Sequence, residues 1–285
     1  MSAPVIPAAI SGSWRASRVL VILAFAWLAL MAIAAIGADV LSPHPYLQTH
    51  LQDRLLPPFH DFTNILGTDN LGRDVFSRLL RSIRMSALIV VLGAVVGAGF
   101  GIVLGAVAAY FRGFVDDLIM VLVDFQASVP MLIIALAVLA FLGNDLTLFI
   151  IMVGLSGWER YARIMRGLSL ALQEQGFATA VRSFGGSPAR LYIRHILPNA
   201  AAPLLVNLTL NFPELLMLES GLSFIGLGVQ PPNTSLGNMV GFGREYLTTA
   251  WWIAVLPGVV IAVTTIAISI IGDWLRDRLD PTLQN

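Results

Sequence analysis

Residues 85–111 form an uncharged run of apolar residues and glycine that no compact water-soluble core hides along its whole length. Wound as a helix at ~1.5 Å per residue, the run is long enough to cross the ~30 Å hydrocarbon core of a bilayer. Backbone inside hydrocarbon must satisfy its own N–H and C=O groups, so the stretch predicts a membrane-spanning helix. Five further stretches read the same way: 19–38, 118–142, 146–165, 200–228 and 248–271, the last four interrupted by isolated charges or prolines. Only 12% of the chain is charged, against ~25% in soluble domains. The expected fold is all-α, a polytopic membrane protein with six transmembrane helices. Within the first run Gly93, Gly97, Gly101 and Gly105 recur at every fourth position. Small residues in that register flatten one helix face for a neighbour's close approach, so they are expected to pack helices rather than cradle a phosphate.

Absent residue types exclude whole classes of chemistry. All 17 basic residues are arginine, and the chain has neither lysine nor cysteine. A P-loop needs its lysine on the nucleotide phosphates, so this chain cannot be its own P-loop ATPase. A Schiff base is equally impossible, as are a disulfide and a cysteine nucleophile. Net charge is zero, which speaks against a nucleic-acid partner. His44, His50 and His60 lack the paired spacing of a metal site, and none is expected.

One polar island stands out, Gln173 to Asn199. Phe177, Ala180, Val181 and Phe184 form an apolar stripe at helical spacing. Gly185-Gly186 predicts its stop, because glycine takes the left-handed conformation of a helix end without a Cβ penalty. Ser187-Pro188 predicts a second helix, serine as N-cap and proline at the first helical position. Arg190 and Arg194 then share a face, and Pro198 is expected to close the unit. A helix-break-helix with a cationic face is the shape of a docking knob rather than of a catalytic centre.

The order Glu174, Ala180, Arg182, Gly185, Ser187 and His195-Ile196-Leu197-Pro198-Asn199 resembles the EAA loop of binding-protein-dependent ABC importer permeases. So do Gly67-Thr68-Asp69 with Gly72-Arg73-Asp74, the phrase Leu222 to Pro232, and Gly272 to Asp277. Together these are most similar to the second (C-type) permease subunit of the peptide/nickel group. The chain departs from that pattern at Gly176, Phe177 and Ala178, where the family usually has Glu-Tyr-Val, and at Thr179-Ala180-Val181 in place of Glu-Ala-Ala. The resemblance implies a type I ABC importer permease fold (MetI-like), with Gly186, Pro188, Arg190, Arg194, His195 and Pro198 joining the residues above in docking a cytoplasmic ATPase. It also implies a homologous permease as heterodimer partner, two ABC ATPase subunits, an extracytoplasmic solute-binding protein, and a bacterial inner-membrane location. ATP and magnesium would belong to the ATPases, and this chain would bind no cofactor.

The expected layout is a cytoplasmic tail at 1–18, a first span at 19–41, and an extracytoplasmic loop at 42–84 with an interfacial amphipathic helix. A five-helix core at 85–272 follows, containing the coupling loop 168–199 and an extracytoplasmic re-entrant loop at 228–247, then a cytoplasmic tail at 273–285. A cleaved signal peptide competes for 19–38, but its apolar region should be shorter. With both termini inside, eleven arginines fall in the cytoplasm and six outside, which agrees with the positive-inside rule. Asp124 is expected to be solvated or paired with an arginine of a neighbouring span, and Glu159 with Arg163. Two other functional classes compete with this reading. An intramembrane enzyme lacks a nucleophile–base pair, since His195 lies in the docking loop. A self-sufficient ion-coupled carrier could use Asp124 and Glu219 but calls for an internal repeat, and none is visible.

Overall fold

The computed structural model describes residues 13–60 and 62–279, which form a helical bundle. The ends of both expected tails, and the side chain of Arg182, lie outside what is described. Among the described residues the one β pairing is an isolated bridge between Thr68 and Asp74. Helices α1 (Ser13–Ile36), α2 (Val75–Phe111), α8 (Pro188–Phe224) and α10 (Trp252–Leu279) are long and apolar enough to cross a bilayer. Large apolar side chains such as Ile22, Val95 and Ile266 stand on their outer faces, each more than 55% exposed, which only a lipid or protein surround makes tolerable.

Between these spans the chain is more broken than its hydropathy suggests. The expected third span is two helices, α3 (Gly113–Ser128) and α4 (Met131–Leu142), bent by 91° at Val129-Pro130. Proline has no N–H to continue the ladder and its ring clashes with the preceding turn. The expected fourth span is likewise two pieces, α5 (Leu146–Gly154) and α6 (Trp158–Gln173). Gly157 between them is left-handed, φ +86, with Asn211 pressed so close that a Cβ would lie 2.8 Å from its amide. Conversely, Pro203 and Pro213 do not break the fifth span, for both lie inside α8.

The interfacial helix expected before the second span is not separate. Residues 75–84 are the first turns of α2, a 37-residue helix of ~55 Å. Its start is fixed by the Gly67–Asp74 segment, in which Asp74 caps the helix, accepting from the Ser77 amide at 2.8 Å and the Ser77 hydroxyl at 2.6 Å. Asp69 accepts from the amides of Leu71 and Arg73 at 2.8 and 3.0 Å and pairs with Arg73 and Arg78. Across the same region Arg84 binds Asp39 at 2.5 Å and donates to the Ala35 and Ile36 carbonyls at 2.6 and 2.8 Å, tying the end of α1 to α2.

The glycines of α2 receive the broken span. A Cβ on Gly97, Gly101 or Gly105 would collide with the carbonyl oxygens of Gly154, Trp158 and Ala162 respectively, and one on Gly93 would meet Val153 Cγ1 at 3.1 Å. Backbone therefore lies on backbone along this seam, a geometry that small residues alone permit. Helix α9 (Leu236–Gly243) lies in the 228–247 segment and is wedged against α8 and α10 through Gly237, Gly241 and Gly243.

Candidate functional site

The polar island folds into α7 (Gly176–Ser183), a tight break, and the start of α8. The break closes as a Schellman motif: the Gly186 amide donates to the Val181 carbonyl at 2.8 Å while Gly185 adopts φ +73. The two glycines are needed for different reasons. Nothing lies within 4 Å of a Cβ on Gly185, so its demand is the dihedral angle alone, whereas a Cβ on Gly186 would sit 2.6 Å from Val181 Cγ1. Ser187 then caps α8, its hydroxyl accepting from the Arg190 amide at 3.3 Å, with Pro188 at the first helical position.

One face of this unit is anchored. Ala178, Leu191 and Ile196 are buried against Tyr161, Met165, Ala200 and Leu204, with Phe177 and Val181 packed at the margin. Gln173 braces it from α6, donating to the Tyr192 hydroxyl at 2.9 Å and the Ala109 carbonyl at 3.4 Å. The opposite face is open: Glu174, Ala180, Gly185, Ser187, Pro188, Arg190, Arg194 and Pro198 are exposed. His195 is half-buried, its ring 5.9 Å from that of Phe177. Two apolar side chains share the open face. Phe184 is 92% exposed and Ile193 70%, so Phe184 does not belong to the inward stripe where its spacing put it. Ala178 takes the inward place instead.

Pro198 does not close the unit. The chain passes it as a π turn, Tyr192–Ile196, with the Leu197 amide donating back five residues to the Tyr192 carbonyl, and continues as α8 to Phe224. The wider turn moves the proline ring away from the carbonyl it would otherwise strike. Asn199 reaches back to the His195 carbonyl at 2.6 Å, satisfying an acceptor in the altered ladder. The second helix of the polar island and the fifth span are thus one continuous element.

Above the unit, three arginines on α6 each meet an acid from another helix. Arg166 forms a bidentate pair with Asp116 at 2.5 and 2.6 Å, Arg163 meets Asp124 at 2.8 Å, and Arg160 meets Glu214 at 2.6 Å. Asp124 is thereby paired with an arginine of a neighbouring span. The expected Glu159–Arg163 partnership does not form; Glu159 lies 3.8 Å from Arg160 instead. Sequence reasoning could not select these partners, because each pair joins residues 39 to 54 positions apart on helices whose rotation is set by packing. Glu219 is different, buried completely and hydrogen-bonded by hydroxyls: Ser223 at 2.9 Å, Ser86 at 3.0 Å and Ser220 at 3.3 Å. Among the described residues no cluster of histidine, aspartate and glutamate could hold a metal ion.

Residues 101–285 match a protein family described as binding-protein-dependent transport system inner membrane component. A putative peptide transport system permease protein of Brucella suis is 39% identical over 257 residues, spanning 90% of this chain and 86% of that one. The di/tripeptide transport system permease protein DppC of Pseudomonas aeruginosa is 39% identical over 221 residues, 78% and 73% of the two chains. The oligopeptide transport system permease protein OppC of Bacillus subtilis is 35% identical over 255 residues, 90% and 83%. Among solved structures, the inward-facing MetNI methionine ABC transporter superposes with a TM-score of 0.56 at 18% identity, over 71% of this chain and 96% of that one. That last likeness is one of fold.

Proposed function

This chain belongs to the binding-protein-dependent transport system inner membrane components, and from that premise we propose that it carries peptides across the bacterial inner membrane. It is a membrane-embedded permease subunit of an ABC importer, a role that brings with it ATPase subunits and a solute-binding protein. The relatives named as di/tripeptide and oligopeptide permeases support the choice of cargo. The finer reading adds a homologous permease as the other half of the pathway, both termini in the cytoplasm, and ATP and magnesium held by the partners alone.

One observation carries the coupling role: the Gly185–Ser187 break presents an open face with Phe184 at its tip and Arg190 and Arg194 beside it, while its back is buried on α6 and α8. An exposed aromatic flanked by arginines is the composition of an interface anchor. A rigid knob of this kind transfers motion of an ATPase cleft directly into the span it belongs to. The test is Gly185→Val in the assembled importer. A β-branched residue is strained at φ +73, at a cost of roughly 1–3 kcal/mol. ATP-driven uptake should fall at least tenfold while membrane insertion and the amount of chain recovered stay unchanged. Uptake at the wild-type rate would remove the coupling assignment.

A further inference from the structure

A cleft of about 420 Å³ opens between α6, α8 and α10, within the ~300–1,000 Å³ range of small-molecule sites. Ile164 from α6, Val206 and Leu210 from α8 and Leu279 from α10 give it apolar walls. Two lining residues are polar, Asn207 on α8 and Arg276 on α10, and both offer donors. The buried amide nitrogen of Asn207 has no hydrogen-bond partner. Among the described residues no acid lines the cleft, and none lies within ion-pair distance of Arg276.

The two donors stand at one height. The end of α8 and the start of α10 both pack on α9, through Phe224 against Gly241 and Ala254 against Gly243, so the two helices run antiparallel. Further along, a Cβ on Gly272 would sit 3.1 Å from Leu210 Cδ2, which sets their register. Asn207 comes three residues before Leu210 and Arg276 four after Gly272, about 4.5 and 6 Å along the same direction. Trp274 marks the depth. Its ring carries the Arg278 guanidinium at 5.4 Å and meets Phe25 edge-on at 5.7 Å. An amphipathic ring and a cation together are the usual furniture of the level where a span leaves the hydrocarbon. The cleft thus has its donors near headgroup level and apolar walls running inward from them to Leu210.

We propose that the cleft holds one anionic phospholipid, its phosphate on Arg276 and Asn207 and an acyl chain along Ile164, Val206 and Leu210. The planar guanidinium offers two parallel donors to two phosphate oxygens. The Asn207 amide, buried without an acceptor, gains one from the same phosphate. Inorganic phosphate would engage Arg276 but leave the apolar walls unfilled. A zwitterionic lipid would bring a cation to a cleft with no acid to receive it. A net negative head joined to a hydrocarbon chain answers both features. The site is independent of the cargo and of which side the termini face.

The assembled importer, stripped of lipid in detergent, is titrated with dioleoylphosphatidylglycerol and separately with dioleoylphosphatidylcholine. Lipid retained on the intact complex is counted by native mass spectrometry. The phosphatidylglycerol should be held at least tenfold more tightly, the scale of a charge-assisted contact. Arg276→Gln should cut that preference below about threefold, and Asn207→Leu should weaken phosphatidylglycerol about threefold, the loss of one neutral donor. Val206→Trp, which fills the cleft, should remove one bound phosphatidylglycerol for each copy of this chain. Arg276 is exposed, so its variant is expected to assemble normally, and recovery of the complex checks it; should Val206→Trp not assemble, Arg276→Gln decides alone. Equal retention of the two lipids overturns the site, as does a preference that Arg276→Gln leaves unchanged or retention that an assembled Val206→Trp leaves unaltered. Displacement of the phosphatidylglycerol by an equal concentration of inorganic phosphate would make this a free-anion site and overturn the lipid.

Discussion

Glu214 and Glu219 are five residues apart on α8 and live in opposite worlds. At ~100° per residue their side chains leave the helix on widely separated faces. Glu214 faces outward, half exposed, balanced by a full positive charge on Arg160. Glu219 faces inward with no exposure at all and receives neutral hydroxyls, from Ser86 on α2, from Ser220 and Ser223 on its own helix, and from Ser235. The difference teaches what each face is for. A buried carboxylate satisfied by several short donors locks its neighbours into one arrangement, since any shift leaves it uncompensated. An exposed ion pair has water as an alternative partner and exchanges cheaply. The core side of α8 is built to hold, its outer side to let go.

The sharpest way to break that contrast is Glu219→Ala. Removing the acceptor strands four hydroxyls and leaves a cavity in a packed seam, which should cost about 3 kcal/mol. Thermal unfolding of the purified importer should show a lowered transition and reduced recovery of this chain. A transition within error of wild type would mean that the inner face holds nothing. Ser86→Ala is the intermediate case. Its hydroxyl donates to Glu219 and accepts from the Leu236 amide at 3.1 Å, so the loss also loosens α9. About 1–2 kcal/mol is expected, with faster amide exchange around Leu236 as the local signature. Glu214→Gln should be the mildest for stability, under about 1 kcal/mol, because an exposed pair contributes little. A loss as large as that of Glu219→Ala would erase the distinction between the two faces.

What was legible in the sequence was local chemistry. Ser187 and Pro188 name a helix start and Gly185 a helix end, because each acts on backbone within a few residues. The all-helical membrane fold and its family followed from long apolar runs and from motif order in the same way. Two prolines behave in opposite ways. Pro198 was expected to end a helix, but the π turn at Tyr192–Ile196 absorbs it. Pro130 is read from the sequence as an interruption within one span, and the chain turns by 91° there, so the two halves are separate helices. Whether a proline stops, kinks or passes depends on neighbours that a single segment does not display. The arginines of α6 were visible as a group, but their acids were assigned only once packing fixed the rotation of α3 and α8. Phe184 was hidden for a simpler reason: helical spacing gives a face, and the Schellman turn carries its last residue off it.

The continuity of α8 sets the mechanical ratio of the machine. From Ile196, at the end of the π turn, to Glu214 the helix runs 18 residues, a lever arm of ~27 Å. Pivoting by about 10° at that turn would sweep the Arg160 contact through ~5 Å, more than the reach of a salt bridge. The docking knob on the short side of the fulcrum need travel far less. If the coupling proposed for the Gly185–Ser187 break holds, a small stroke there would be geared up into the making or parting of a single ion pair on the outer face of α8.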